Sequence, residues 1–357
     1  MQLHTVWFVI IAVFWIGFFV LEGFDFGVGA LHQVIGKSED ERRVAINTIG
    51  PWWDGNEVWL IVAGAAMFAA FPGWYATMFS ALYLALVLVL VALFGRGVSF
   101  EYRGKREDKR WRDGWSWALT IGSVLLPLLI GVALGDLLHG LPINQNHDFT
   151  GNFFDLLTGY GLMTGVTMLA LCLLHGATFL ALRTTGEMRD RARAAGRTLG
   201  LVAIVINIGW VIWTLVVIGG GTLPEPTQIF GVIAVIFAFV LANTDSDGWA
   251  FLASGFGIAA AIGQIFISLY PNVMVSSTNH AYNLTVNNAA SGHYALVVMT
   301  IVGVLFFPVV LLYQGWSFHV FRRRLTAPSA SAEPAGGAEP RRGAEPAGGG
   351  GQVAAPT

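Results

Sequence analysis

Apolar residues run along this chain in unbroken blocks of roughly twenty, the length that a bilayer selects, rather than alternating or recurring every third position. The blocks fall at residues 6–26, 52–71, 75–95, 115–138, 159–182, 199–218, 228–243, 249–269 and 294–313. Each is long enough for a helix rising about 1.5 Å per residue to cross most of the hydrocarbon layer. The pattern predicts an all-α integral membrane protein of about nine transmembrane helices. The seventh block is the shortest and ends at the turn signal Asn243-Thr-Asp-Ser-Asp-Gly248. No basic stretch precedes the first block and no small-residue cleavage site follows it, so it is read as a span rather than a removable signal. From Thr326 the pattern gives way to Ala/Glu/Pro/Gly repeats such as Gly343-Ala-Glu-Pro346. Such composition cannot bury apolar surface, which predicts a disordered tail over 326–357 behind a transmembrane domain over 1–325.

Composition agrees: 55% of the residues are hydrophobic and only 12% charged, against about a quarter charged in soluble domains. The formal charge of −2 says little. The position of the charges says more. Lys37, Arg42 and Arg43 separate spans one and two, and the Arg96–Arg112 stretch separates three and four. Arg183–Arg197 separates five and six, and the remaining arginines follow span nine. With nine spans, all 20 Lys and Arg residues fall on one side. Eight or ten spans would strand some of them opposite. The positive-inside rule then places the N-terminus outside and the C-terminus in the cytoplasm. The single cysteine, Cys172, lies inside an apolar block and reads as packing.

Span two carries the most telling polar residues. Pro72-Gly73 fixes its outer end, and counting back twenty residues reaches Trp52. Asp54 and Glu57 therefore belong to the inner end of the span, at least partly buried. The same count puts Glu22 and Asp25 at the inner end of span one. Each pair is spaced i, i+3 and shares a helix face. Carboxylates inside a membrane face a bundle interior or a water path, and crowded acids suit proton transfer. The competing reading has them capping helix ends or meeting headgroup-level arginines. It weighs most for Glu22 and Glu57, whereas Asp25 and Asp54, flanked by glycine and aromatic residues, favour function. Gly23, Gly27 and Gly29 read as a packing ridge, and most tryptophans as interfacial belts. Of the histidines, only His175 lies clearly within a span, where hydrogen bonding to a neighbouring helix is the better reading than metal ligation. No zinc-type spacing, phosphate loop, nucleotide fingerprint or hydrolase triad occurs. From the residues alone, a proton-coupled transporter and a subunit of an energy-coupling complex stand level.

The segments Glu22-Gly-Phe-Asp-Phe-Gly-Val-Gly29 and Trp53-Asp-Gly-Asn-Glu-Val-Trp-Leu60 resemble subunit II of cytochrome bd quinol oxidases. The likeness continues through Glu41-Arg-Arg43, Phe68-Ala-Ala-Phe-Pro72, Phe94-Gly-Arg96, Phe100-Glu-Tyr-Arg103, Gly131-Val-Ala133, Thr150-Gly-Asn-Phe153 and Arg183-Thr-Thr-Gly-Glu187, and into the 271–278 loop. It covers nearly everything but the tail. The resemblance implies two four-helix bundles and one peripheral helix in a bacterial cell membrane, paired with a related subunit I, with room for small accessory subunits. It implies that subunit I carries two b-type haems and haem d, oxidises quinol on the outer side, and reduces oxygen with cytoplasmic protons. Subunit II itself would hold no haem or metal, although a bound structural quinone is compatible. By the same resemblance, Asp54 joins a proton pathway with Asp25 nearby; Glu57 and Glu22 are added to that pathway by their position at the inner helix ends. Trp59 and Arg96 match positions associated with oxygen access. Glu22 in place of aspartate, Trp52 ahead of Trp53, His175, and a short 219–227 segment depart from the pattern.

Overall fold

The computed structural model describes residues 2–218 and 225–327. Its helices are α1 (Leu3–Ile35), α2 (Glu39–Asn47), α3 (Trp53–Ala70), α4 (Pro72–Ala81), α5 (Tyr83–Tyr102) and α6 (Lys109–His139). They continue as α7 (Gly159–Arg183), α8 (Gly186–Ile218), α9 (Pro226–Leu241), α10 (Asp247–Leu269) and α11 (His293–Val320). Seven of these described helices are long and apolar enough to cross a membrane: α1, α5, α6, α7, α8, α10 and α11. The second and seventh apolar blocks are also helical, as α3 and α9. Asp54, Asn56 and Glu57 dilute the apolar character of α3, and α9 is short. Residues 219–224 and the tail beyond Ala327 lie outside the described residues, and with them most of the short 219–227 segment.

Local chemistry sets the breaks. Gly36 ends α1, its amide donating to the His32 carbonyl, and a capping box between Ser38 and Glu41 starts α2. Pro72 has no amide to continue α3, so it opens α4 at the first helical position instead. The third apolar block was expected to be one helix over 75–95. It is interrupted at Leu82, and α5 then runs on past Gly95 to Tyr102. Helices overrun their apolar blocks elsewhere too, because backbone hydrogen bonding continues wherever one side stays covered. In α8 the arginine-rich first turns bury Met188 and Ala192, one turn apart.

The first helix is the centre of the packing. It is buried along most of its length and contacts α3, α6, α7 and α10. It crosses α7 at Gly27 and Gly176, where a Cβ on either glycine would collide with the other helix's backbone. The glycine ridge is therefore a packing surface, as its spacing implied. By contrast α11 is exposed almost throughout, with Leu296 its buried residue. It is held at four levels: by Trp7, whose indole donates to the Leu296 carbonyl and to Thr300, by Phe307 against Phe14 and Trp59, by Gln314, and by Phe318 stacked 5.1 Å from Trp52.

The basic segments converge at one end. Arg103 bonds Glu39 at 2.8 Å, Arg191 bonds Glu41 at 2.5 Å, and Arg42 lies 3.8 Å from Asp113. Asp247 receives Arg189, Arg193 and Arg324 at 2.7–3.1 Å. The chain after α11 folds back here, with the Leu325 amide on the Arg183 carbonyl and the Arg183 guanidinium on the Phe321 carbonyl. At the other end, loops 140–158 and 270–292 pack together. There β1 (Asn272–Met274) pairs with β2 (Leu284–Thr285), and Leu141 bridges to Ser276.

Candidate functional site

Four helices bring polar side chains together inside the apolar body. From α1 come Glu22 and Asp25, one turn apart and fully buried. From α3 come Asn56, also fully buried, and Glu57, half-exposed at the edge of the group. Arg96 of α5 reaches in with no exposed surface, its Nη1 2.5 Å from Glu22 Oε1 and 3.4 Å from Glu57 Oε2. The guanidinium also lies over the rings of Phe26 and Phe100, at 5.0 and 5.3 Å, a setting that favours arginine over lysine. Asn56 spends both amide hydrogens on α1, on Asp25 Oδ2 at 2.7 Å and the Leu21 carbonyl at 3.1 Å. Its Oδ1 accepts from Gln314 Nε2 of α11 at 2.9 Å. Among the described residues, Asp25 Oδ1 and Arg96 Nε and Nη2 have no hydrogen-bond partner. One guanidinium thus pairs with two of the three carboxyl groups, and Asn56 serves the third. The cluster has fewer cations than acids, and hence the capacity to hold protons and hand them on.

Two sequence expectations need correction here. Asp54 is exposed rather than partly buried, and among the described residues no hydrogen bond or ion pair reaches its carboxylate. The reason is the face that α3 buries: Asn56, Trp59, Ala63, Ala66, Met67 and Ala70 turn inward, and Asp54 lies on the other side with Val58, Ile61 and Phe68. Arg96, expected between spans three and four, lies within α5 and is the cation of the acid cluster. Trp59 packs edge-on against Phe14 and Phe307 and fills the space over Gly17.

His175 behaves as a satisfied core histidine. Its Nδ1 meets the Ser254 hydroxyl at 2.7 Å, its Nε2 meets the Val20 carbonyl at 3.1 Å, and its ring stacks on Phe251. Both nitrogens are engaged, which leaves none to ligate a metal. Among the described residues no three His, Cys, Asp or Glu side chains form a metal-holding group. An apolar cleft of about 650 Å³ opens between α3, α4, α5 and α6, lined by residues such as Leu60, Phe68, Phe79, Leu86 and Leu90.

The family model described as cytochrome bd terminal oxidase subunit II matches residues 3–321 of this chain. The chain belongs to that family. It is 44% identical over 329 residues to cytochrome bd ubiquinol oxidase subunit 2 of Bacillus subtilis (strain 168), covering 91% of this chain and 97% of that protein. It is 38% identical over 361 residues to cytochrome bd-I ubiquinol oxidase subunit 2 of Escherichia coli (strain K12), covering 91% and 95%. Its fold matches a chain in the structure of bd oxidase from Geobacillus thermodenitrificans with a TM-score of 0.71 at 19% identity, covering 90% of this chain and 99% of that one. As a subunit II of the cytochrome bd family, the chain is one part of a terminal oxidase, a multi-pass membrane oxidoreductase complex.

Sequence reasoning missed three members of this subunit's polar interior. Asn56 was passed over although it lies between the two acids of span two. Gln314, one residue past the last apolar block, drew no notice. Asp136, in the fourth block, is buried at the opposite end from the arginines and accepts a 2.5 Å hydrogen bond from Thr158. An acid inside an apolar block is a signal in its own right, and it was available there.

Proposed function

We propose that this chain is the haem-free second subunit of a quinol:oxygen oxidoreductase, scaffolding a haem-bearing subunit I and supplying part of the cytoplasmic proton route. The observation that carries the reading is the buried Glu22–Arg96–Glu57 group with Asp25 bonded to Asn56, flanked at the α3 inner end by exposed Asp54. The relatives named ubiquinol oxidase subunit 2 supply the electron donor, quinol, and the acceptor is oxygen. Two b-type haems and haem d belong to subunit I in this reading, and the full hydrogen bonding of His175 supports that division. An acid on a spanning helix does not face lipid cheaply. The exposed stripe Asp54, Val58, Ile61 and Phe68 is accordingly the surface that subunit I covers, and Asp54 hands protons across it from Glu57 and Asp25. Trp59, packed between α1 and α11, walls the oxygen approach, and the apolar cleft fits the tail of a bound quinone.

Asp25→Asn and Asp54→Asn keep shape and hydrogen bonding while removing the titratable proton. Each is expected to give a complex with normal haem content whose quinol oxidation per haem slows roughly tenfold or more, about 1.4 kcal/mol in barrier. Wild-type turnover per haem in both variants would end the proton-route reading.

The nine-span arrangement belongs to the same proposal: α1, α3, α5 and α6 as one bundle, α7–α10 as the second, α11 outside them, N-terminus out. The convergence of every ion-paired basic segment at one end supports it. Cys172 is buried, so single cysteines can be introduced without removing it. Labels at Gln145 and Asn283 are expected to react with an impermeant reagent from outside, and labels at Lys105 only after the membrane is opened. The reverse pattern would refute the orientation.

A further inference from the structure

We infer that Gln314, on the outlying helix α11, is a positioning residue for the proton route, acting through Asn56 on Asp25. This rests on the proton-route reading and extends it to a helix that contributes nothing else polar to the cluster. The geometry is a chain of two amides. Gln314 Nε2 donates to Asn56 Oδ1 at 2.9 Å, which obliges Asn56 to present its NH2 to α1. That NH2 is shared between Asp25 Oδ2 and the Leu21 carbonyl. All three Asn56 bonds are thereby fixed, and the Asn56 amide cannot turn over without setting its oxygen against a carboxylate and a carbonyl. The charged groups around this chain are Glu22 and Asp25 of α1, Glu57 of α3 and Arg96 of α5. None of them comes from α11, so among the described residues Gln314 is its sole polar link to the cluster. Gln314 is itself half-buried on a helix otherwise open to its surroundings, so changing it disturbs little packing.

The test compares three single variants in the intact complex, each measured as turnover per haem, haem content and solvent deuterium isotope effect. Gln314→Glu replaces the donor with an acceptor of the same shape and turns the Asn56 amide over. Gln314→Leu removes the donor, and Gln314→His retains an N–H at similar reach. Turnover per haem is expected to fall roughly tenfold in Gln314→Glu, the scale of one hydrogen bond to a charged group. The isotope effect should rise and haem content stay normal. Gln314→Leu should fall less, and Gln314→His should recover most of the rate. In an Asp25→Asn background, Gln314→Glu should add nothing further. If Asp25→Asn is slow while Gln314→Glu turns over at the wild-type rate, the positioning role is wrong and the proton route stands. If Asp25→Asn itself is wild-type, both fall. Loss of haem in proportion to activity, with turnover per haem and isotope effect unchanged, would make Gln314 an assembly contact and overturn the inference.

Discussion

Arg96→Met is expected to abolish accumulation of the assembled complex. The substitution leaves Glu22 with no cation and no exposed surface. Removing one partner of a buried ion pair costs about 3–5 kcal/mol, comparable with the whole folding stability of many domains, about 5–15 kcal/mol. The isosteric repair is Arg96→Met combined with Glu22→Gln, which removes both charges and leaves a polar amide among apolar groups. The double variant should restore subunit levels in membranes above the single one, because a neutralised pair lacks the stranded charge. Immunoblotting of membranes and haem content measure both. Equal accumulation of Arg96→Met and wild type would show that the pair is not what holds α5 to α1, as would a double variant no better than the single.

Asp247→Ala is expected to have the next largest effect. Asp247 is almost buried, and three arginines from two separate segments converge on it. Removing it sets Arg189, Arg193 and Arg324 against one another. It also releases Arg324, which holds the segment after α11 against the end of α7. The arginines keep partial contact with water, so the cost is about 2–3 kcal/mol rather than the full figure for a buried pair. Limited proteolysis of the purified complex should cut near residues 321–327 faster than in wild type, and thermal inactivation should come several degrees earlier. Asp245→Ala is the control. Asp245 touches the same Arg193 at 2.7 Å but stands in water, and its loss should leave both measurements near wild type. Matching behaviour of the two variants would mean that the cluster is surface decoration.

The helices were legible because a bilayer imposes one length on every span, and apolar blocks of that length have few other uses. The acid pairs were legible for the converse reason: Glu22, Asp25, Asp54 and Glu57 interrupt or adjoin those blocks. What could not be read was direction. In α3 the outward Val58, Ile61 and Phe68 are as apolar as the inward Trp59, Ala63 and Met67, because lipid and protein interior demand the same side chains. Periodicity therefore could not say that Asn56 faces in and Asp54 out. Arg96 was placed between spans three and four because of a boundary. Apolar sequence stops at Phe94, but the helix continues for two further turns, which carries an apparent loop cation into the core. Leu82 breaks the third block without any proline or glycine to announce it. Gln314 was invisible because its importance lies in a partner more than two hundred residues away.

The central place of α1 has a consequence for how the protein is made. Among these helices α1 leaves the ribosome first, yet its neighbours α7 and α10 are synthesised well over a hundred residues later. It must therefore lodge in the bilayer with Glu22 and Asp25 before α3 and α5 bring Asn56 and Arg96 to them. An insertion machine that holds the first helix at a protein-lined, hydrated flank until the fifth arrives would spare it that exposure. The glycine face of α1 suits such waiting, since Gly27 offers only backbone until Gly176 closes on it. The last helix meets the opposite circumstances. By the time α11 emerges the bundle is complete, and Trp7, Phe14, Asn56 and Trp52 form a finished track on which it can settle.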